Sequence, residues 1–385
     1  MALCLVGLGS NLGDRRENLS RAISLLDNGV DTRVLATSRL YESKAAGGPA
    51  SQPNYLNVVI LLDTALDPLA LLDRSQDLER SAGRVREVRW GPRTLDIDLL
   101  IYEDVVCEQP SLLLPHPRMG FRRFVLEPAA EIAPTFRHPV FGLTIFQLLN
   151  HLDESAPYLA LTGLPGCGKS ALVKKIARPK KLVPLFGPPG VFSDRRLSRP
   201  VVPLRPLTKR QALRRLLRRE SRLLFRRSEL LAKALARWKW TEVRSVRLLT
   251  DFWPWESAAL FRVLRRWGRR WPAKSWQLVR TTAEQFTEML NDYFAVPKLV
   301  IHLDSSSPPL VGSTKKGPLN AGDLGVGPRP EVRLKHLALA LRREVARPFR
   351  GPWLRLVDVS RDEAAQEILA AVEAMEIRPT PLRHG

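Results

Sequence analysis

The segment that most restricts the possible folds of this chain is a glycine-rich loop near its middle. In YLALTGLPGCGKSALVKKIA (158–177), an apolar run predicted as a strand precedes Gly163-x-x-x-x-Gly168-Lys169-Ser170, and a predicted helix follows. Such glycines let backbone N–H groups converge on phosphate oxygens, and a helix N-terminus favours the anion. The order strand, loop, helix therefore predicts a phosphate-binding loop (P-loop), with Lys169 contacting nucleotide phosphates and Ser170 ligating one Mg²⁺.

Further apolar runs in the second half are typical of a parallel sheet with crossover helices. They occupy residues 182–186, 246–250, 298–303 and 353–359. Together with the P-loop they predict an α/β domain.

Charge divides the chain into two parts. Residues 1–150 contain 16 Lys and Arg against 18 Asp and Glu, whereas the rest of the chain contains 45 against 21. A nearly neutral part followed by a strongly basic part predicts two independent units. We therefore expect a first domain over 1–150, a linker over 151–157, a P-loop domain over 158–378 and a tail over 379–385.

Cysteine usage and hydropathy indicate the compartment. Cys4, Cys107 and Cys167 are few and far apart, which fits a reducing environment and gives no metal-ligand spacing. The start MALCLVGLGS lacks the basic leader of a signal peptide and is predicted as a buried strand. No apolar run reaches membrane-spanning length, so we expect a cytoplasmic protein with no membrane partner.

Two carboxylates share one face of a predicted strand in the first half. In RWGPRTLDIDLL (89–100), apolar and polar residues alternate, so Asp96 and Asp98 point to the same side. Their Cα atoms are then roughly 7 Å apart, and the charges repel unless something positive lies between them. Arg89 and Arg93 are candidates, and a bound divalent metal is the better one. An isolated pair of this kind is more often a solvated face than a metal site.

The elements before this strand predict the fold of the first domain. A strand at 2–7 is followed by a helix at 15–28, strands at 34–42 and 54–63, and a helix at 68–82. With the strand that carries the aspartates, this β-α-β-β-α-β order predicts a ferredoxin-like α+β fold with its helices on one face of the sheet.

Four motifs in the first half occur in one register. They are GSNLGDR (9–15), QPNYLN (52–57), GRVREVRWGPRTLDIDLL (83–100) and LPHPRMGFRRFVLEP (114–128). Together they resemble the 6-hydroxymethyl-7,8-dihydropterin pyrophosphokinase family of folate biosynthesis. The resemblance implies transfer of the ATP β,γ-pyrophosphoryl group to the hydroxymethyl group of the pterin, with release of AMP.

The resemblance also implies roles for individual residues. Asp96 and Asp98 would hold two Mg²⁺ ions, and Asp98 is the nearest group to take the hydroxyl proton. The residues implied to contact the triphosphate are Arg84, Arg93, Arg122 and His116. Those implied to bind the pterin are Tyr55 and Phe124, which stack on the ring, and Asn57, which binds its amide edge. Trp90 is implied to lie on a loop that closes over the nucleotide.

One stretch departs from the family pattern. Members commonly carry a Thr-x-Pro-x-Gly segment that lines the pterin pocket, whereas this chain has YESKAAGGP (41–49). Without the prolines we expect a more flexible pocket wall and a weaker pterin affinity.

In the second half, TDFWPWESAALF (250–261) and VPKLVIHLDSS (296–306) resemble the deoxynucleoside kinase family. The resemblance implies a deoxynucleoside as a further partner. Asp251, at the end of a strand, either approaches Mg²⁺ or caps the next helix, and the sequence leaves both open.

The second half also departs from that family. No Glu follows the second strand, where the family has its base, and the lid segment (305–323) contains two lysines but no arginine. Because phosphoryl transfer depends on positive charge around the γ-phosphate, we expect nucleotide binding with a slow or absent kinase activity. The alternatives are an active deoxynucleoside kinase, or a degenerate kinase fold that binds a nucleotide or polyanion or serves in docking.

A long basic segment, 209–235, explains much of the charge. Its leucines keep helical spacing and arginines fill the other face, as in a solvated or domain-facing helix. A surface for nucleic acid is the alternative, although this helix has few of the aromatic residues that single-strand stacking requires.

Overall fold

The computed structural model describes most of the chain in two compact units. The described residues are 1–49, 51–83, 90–164, 166–188, 209–237, 245–267, 273–293, 295–305, 330–347 and 351–382. The first unit comprises Met1–Glu154, Pro348–Pro352 and Gln366–Gly385, and the second comprises Ser155–Arg347 and Trp353–Ala365. Residues 366–385, which the sequence assigned to the second domain and the tail, thus belong to the first unit.

The first unit is built around an antiparallel sheet. Its elements up to residue 154 are β1 (Ala2–Ser10), α1 (Arg15–Leu26), β2 (Thr32–Thr37), β3 (Tyr41–Ser43), β4 (Tyr55–Thr64), α2 (Pro68–Ser81), β5 (Asp96–Tyr102), β6 (Cys107–Glu108), β7 (Leu113–Leu114), a 3-10 turn (Met119–Phe121), α3 (Arg123–Ile132) and α4 (Ile145–Glu154). The main strand order is β3-β4-β1-β5, and β2 also pairs with β4.

Alternation along the strands separates a core face from a polar face. On β1, Cys4, Val6 and Leu8 are buried and pack in one cluster with the apolar residues of α1. The core side of β5 carries Ile97 and Leu99, so Asp96 and Asp98 lie on the opposite side of the sheet, as the period predicted. Helix α1 begins where expected, because the Asp14 side chain accepts hydrogen bonds from the first-turn N–H groups.

The second unit contains a parallel sheet. Its elements are β8 (Ala156–Gly163), α5 (Lys169–Ala177), β9 (Val183–Leu185), α6 (Lys209–Leu235), β10 (Leu248–Thr250), α7 (Glu256–Trp267), α8 (Ala273–Tyr293), β11 (Pro297–Asp304), α9 (Pro330–Val345), β12 (Trp353–Val357) and the first turn of α10 (Arg361–Glu376). The strand order is β12-β11-β8-β10-β9, and every pair is parallel. The α+β and α/β classes expected from the sequence are confirmed at this level.

Helix α6 is the predicted basic helix. It buries Leu217, Leu224 and Leu231 at seven-residue spacing, while Arg218 and Arg222 are exposed. Most of the described arginines therefore form a solvated face, whereas Arg227 is buried.

The rest of α10 and a last strand, β13 (Thr380–Pro381), belong to the first unit. Strand β13 pairs antiparallel with β3 and so extends the first sheet by one strand. Thr380 and Pro381, which were expected in a tail, are thus part of a sheet.

Two further expectations change. The predicted linker 151–157 is occupied by regular structure, since α4 runs to Glu154 and β8 begins at Ala156. The amphipathic pattern of α4 continues through the segment, with Leu148 and Leu152 buried. The predicted strand 34–42 is split into β2 and β3.

Across the residues that the structure describes, we find no helix with the length and hydropathy of a membrane span.

Candidate active site

The polar face of the first sheet borders a cavity of about 190 Å³. The cavity is lined by every first-half site residue that the sequence predicted and the structure describes: Tyr55, Asn57, Trp90, Arg93, Asp96, Asp98, His116, Arg122 and Phe124. Arg84, also predicted, lies outside the described residues.

The two carboxylates on β5 have separate cationic partners. Arg93 Nη1 lies 2.7 Å from Asp96 Oδ1, and Arg122 Nη1 lies 3.5 Å from Asp98 Oδ2. The Asp98 side chain is about one-third exposed, at 35%. Arg93 was an expected partner, but the second charge comes from Arg122, which lies twenty residues after Tyr102, the end of β5.

Side chains from three other segments hold the start of β5. Asn11 Oδ1 accepts the Arg93 N–H at 2.6 Å, and Asn18 Nδ2 donates to the Thr94 carbonyl at 3.1 Å. The buried Glu79 accepts the Ile97 N–H at 2.8 Å. The conspicuous GSNLGDR motif and α1 thus position the backbone that presents the aspartates.

His116 is a neutral hydrogen-bond donor in this site. Its Nδ1 accepts the Arg118 backbone N–H at 3.2 Å, so Nε2 carries the proton, and Nε2 lies 3.8 Å from Asp98 Oδ2. Burial, followed by the positive charges of Arg122 and Arg118, holds the pKa of His116 well below its usual range. A neutral imidazole with Nε2–H towards the carboxylates can donate to a phosphate oxygen.

Arg122 connects the charged end of the cavity to its aromatic end. Burial lowers the pKa of Arg122, and Asp98 partly offsets this effect. Its guanidinium carbon lies 5.6 Å from the centre of the Phe124 ring, within cation–π distance.

Asn57 has its two amide donors engaged. Nδ2 donates to the Tyr41 carbonyl at 3.2 Å and to Ser43 Oγ at 2.9 Å. Oδ1 is therefore the atom with which Asn57 can contact a ligand, and it selects a ligand that donates N–H groups. The Tyr55 hydroxyl donates to the Gly91 carbonyl at 3.3 Å, which joins this part of the cavity to the segment that carries Trp90.

Sequence reasoning missed part of the cavity wall. Arg118, two residues after His116, lines the cavity, as do Glu367 and three alanines of α10. Arg118 lies within LPHPRMGFRR (114–123), the same motif as His116 and Arg122, and this proximity was a local signal for it. No local signal linked α10 to the motifs of the first half.

In the second unit, the predicted P-loop residues converge between β8 and α5. Gly163 and Gly168 have positive φ, of 146° and 89°, and a Cβ at Gly163 would lie 2.5 Å from the Leu303 carbonyl oxygen. Lys169 Nζ donates to the Gly163 carbonyl at 2.6 Å. Ser170 Oγ donates to the Asp251 carboxylate.

Asp251 and Glu256 bring carboxylates to this loop. Asp251 also accepts the Gly187 N–H at 2.8 Å, so its carboxylate joins Gly187 to Ser170, and its approach to Mg²⁺ stays a prediction. Glu256, at the start of α7, has Oε1 3.9 Å from Lys169 Nζ and Oε2 3.4 Å from Arg227 Nη1. Glu256 was not predicted, because it follows β10, whereas the deoxynucleoside kinase family has its acid after the second strand of the domain.

Comparison with known proteins concerns mainly the first unit. The family model described as 7,8-dihydro-6-hydroxymethylpterin-pyrophosphokinase matches residues 5–134. The 2-amino-4-hydroxy-6-hydroxymethyldihydropteridine pyrophosphokinase of Pseudomonas aeruginosa is 44% identical over 161 residues, which are 42% of this chain and 96% of that protein. The chain belongs to the 7,8-dihydro-6-hydroxymethylpterin-pyrophosphokinase family. The pyrophosphokinase of the same description from Synechocystis sp. is 43% identical over 160 residues, 42% of this chain and 81% of that protein.

The pyrophosphokinase match includes all the first-half site residues and ends at residue 134, before α4. A solved structure of deoxyadenosine kinase from M. mycoides is 14% identical and covers 57% of this chain and 100% of that chain, with a TM-score of 0.34. A similarity of this size supports no conclusion about the second unit.

Proposed function

We propose that the first unit transfers the pyrophosphoryl group of ATP to the hydroxymethyl group of 6-hydroxymethyl-7,8-dihydropterin and releases AMP. The observation that carries this proposal is the convergence of the two aspartates of β5, three arginines and a neutral histidine on a cavity that also presents aromatic rings and an amide. The connectivity of the sheet, with α1 after β1 and α2 after β4, supports a ferredoxin-like assignment.

The donor set at β5 fits Mg²⁺ in a particular way. Among the described residues, no group of three or more His, Cys, Asp or Glu side chains could hold a metal ion. Mg²⁺ commonly binds one or two carboxylates and completes its shell with water and substrate phosphates. Asp96 and Asp98 therefore fit two Mg²⁺ ions that bind together with ATP. When bound, these ions would neutralise charge on the triphosphate.

The side chains around the aspartates supply the remaining phosphate contacts. Arg93 and Arg122 present planar guanidinium groups, which suit phosphate oxygens. His116 donates through Nε2–H without adding charge, because its pKa is held low. Asp98, the more exposed of the two carboxylates, accepts the proton of the pterin hydroxyl group.

The other end of the cavity orients the pterin. Tyr55 and Phe124 offer faces on which a flat heterocycle stacks. Asn57 Oδ1 accepts from the N–H groups of its amide edge, because both amide donors are already engaged. Trp90, which lines the same cavity, excludes water from the bound nucleotide.

Substitution of Asp98 by Asn tests this proposal. The variant keeps the shape of the side chain but loses the charge and the proton acceptor, so AMP formation from ATP, Mg²⁺ and the pterin alcohol should fall by at least roughly a hundredfold. Asp104→Asn is the control, because Asp104 is exposed and does not line the cavity. Equal AMP formation by the two folded variants would remove Asp98 from the reaction.

We also propose that the second unit binds a nucleoside triphosphate and Mg²⁺ at its P-loop, with slow kinase activity at most. The contacts of Lys169, Ser170 and Asp251 support this proposal. An active deoxynucleoside kinase predicts ADP formation that depends on an added deoxynucleoside and is lost in Lys169→Ala. ADP formation as fast as AMP formation would contradict slow kinase activity, and unchanged nucleotide binding in the variant would contradict the site.

A further inference from the structure

The C-terminal segment 366–382 lies against the proposed pyrophosphokinase site, although the family match ends at residue 134. At its end, β13 pairs with β3, and Leu382 N–H donates to the Leu40 carbonyl at 2.8 Å. Closer to the cavity, Arg123 Nε donates to the Met375 carbonyl at 3.4 Å. Main-chain contacts thus fix the segment in the first unit at several points.

One face of α10 forms part of the cavity wall. Glu367, Ala370, Ala371 and Ala374 all line the cavity, and their spacing of three and four residues places them on one side of the helix. The alanines are short enough to leave space for a ligand. Glu373, in the same helix, accepts the Gly47 N–H at 2.8 Å. Gly47 belongs to YESKAAGGP (41–49), the stretch that departs from the family pattern.

Glu367 forms a two-pronged ion pair with Arg118. Arg118 Nε donates to Glu367 Oε2 at 3.2 Å, and Arg118 Nη2 donates to Oε1 at 2.8 Å. The Glu367 side chain is only 3% exposed, whereas that of Arg118 is 30% exposed, so a buried carboxylate holds a partly exposed guanidinium group at two nitrogens.

Arg118 has the position of a phosphate ligand. It lines the cavity beside His116, whose Nδ1 accepts the Arg118 backbone N–H. Within the part of the chain that the structure describes, the ion pair uses Nε and Nη2, so the donors on Nη1 remain for an anion in the cavity. A guanidinium group held at two nitrogens can contact a phosphate oxygen without losing further side-chain freedom.

We propose that Glu367 is a positioning residue for ATP, which acts by fixing Arg118 as an additional contact of the triphosphate. The pyrophosphokinase site of this chain is then completed by a helix more than 230 residues beyond the family match. This inference rests on the proposed function of the first unit and deepens it.

The test uses the variant Glu367→Gln in the full chain. The matched control is Glu376→Gln. Both residues belong to α10, but Glu376 is exposed and does not line the cavity. Glutamine keeps the shape of the side chain and removes the charge that anchors the guanidinium group. We expect the KM for ATP in AMP formation to rise by roughly tenfold in Glu367→Gln alone, with kcat changed by less than about twofold.

A double variant separates positioning from a purely structural role. If Glu367 acts through Arg118, then Arg118→Gln combined with Glu367→Gln should raise the KM no further than Arg118→Gln alone. Additive effects, or a fall in thermal midpoint that accounts for the lost activity, would overturn the proposal. A lower KM in Glu367→Gln would also overturn it, because the pair would then restrain ATP binding.

Binding of α,β-methylene-ATP with Mg²⁺ distinguishes this proposal from the function on which it rests. The measurement compares the two Glu variants in a Lys169→Ala background, which disables the P-loop of the second unit. We expect a dissociation constant roughly tenfold higher for Glu367→Gln. Equal constants would reject the role of Glu367, whereas absence of AMP formation by the unsubstituted chain would reject the proposed pyrophosphokinase function.

Discussion

Asp96 and Asp98 show which contacts of a side chain can be predicted from a sequence and which cannot. Their common face follows from the period of a strand, and the structure places both beside the cavity. Their partners are less accessible to sequence reasoning: Arg93 is three residues from Asp96, but Arg122 reaches Asp98 only because the chain returns to the sheet after β7. Local periodicity predicts the face of a side chain, whereas its neighbours depend on topology.

Buried histidines make the stability of the chain depend on pH. His138 is 3% exposed, stacks on Phe141 with ring centres 3.9 Å apart, and accepts the Phe141 N–H at Nδ1. Burial lowers the pKa of His138 to about 3, whereas an unfolded histidine titrates near about 6.5. Below that pH the unfolded state binds more protons, so the free energy of unfolding falls as pH decreases, by up to about 1.4 kcal/mol per pH unit for this group.

His138→Asn should therefore reduce the pH dependence of the unfolding midpoint between pH 6.5 and 4. The Asn oxygen can accept the same N–H but does not titrate in this range. His151→Asn, at a half-buried position in α4, is the control for the substitution itself. If both variants show the full pH dependence of the unsubstituted chain, His138 does not contribute to it.

At the scale of elements, alternating strands serve the core and the site at once. The predicted helices and strands of the first half correspond closely to α1, β4 and α2, because their periodicity is long and regular. The break between β2 and β3 was not predicted. There, Ser38 N–H still donates to the Val59 carbonyl at 2.9 Å, but the Val59 N–H donates to Ser38 Oγ at 3.0 Å, so a side chain takes the place of one main-chain acceptor.

The glycine pair Gly47–Gly48 provides an element-scale prediction. Gly48 has φ of +77°, and a Cβ there would lie 2.3 Å from the Trp90 carbonyl oxygen and 2.5 Å from Gln52 Nε2. Gly48→Ala must therefore displace the segment that carries Trp90. We expect the KM for the pterin alcohol to rise by roughly tenfold.

Gly29→Ala is the matched control for this change. Gly29 also has positive φ, of +66°, but a Cβ there meets no atom within 4 Å. Both variants carry backbone strain of roughly 1 kcal/mol, so both should lower the thermal midpoint, and only Gly48→Ala should raise the KM. Equal pterin KM values in the two variants would contradict the proposed coupling between this loop and the site.

At the scale of the whole molecule, the composition predicted two units, and the chain divides into two. It did not predict that residues 366–385 belong to the first of them. The pairing of β13 with β3 and of Glu367 with Arg118 joins residues more than 240 positions apart, and no motif or period records such contacts. The excess of basic over acidic residues belongs to the second half of the chain, and much of it lies in helices such as α6.

We propose different chemistry for the two units, and the products of ATP distinguish them. Pyrophosphoryl transfer releases AMP, and we propose that it depends on the carboxylates of β5. Phosphoryl transfer at a P-loop releases ADP, and in this chain it would depend on Lys169. The full chain can therefore be assayed for both reactions without separating the units.

The most direct measurement is the nucleotide product formed by the full chain with ATP, Mg²⁺ and 6-hydroxymethyl-7,8-dihydropterin. We predict that AMP accumulates in proportion to the pterin diphosphate, that Asp98→Asn lowers the rate of AMP formation by at least roughly a hundredfold, and that Lys169→Ala leaves it unchanged. ADP as the pterin-dependent product, or an undiminished rate of AMP formation in Asp98→Asn, would contradict the assignment of a pyrophosphokinase site to the first unit.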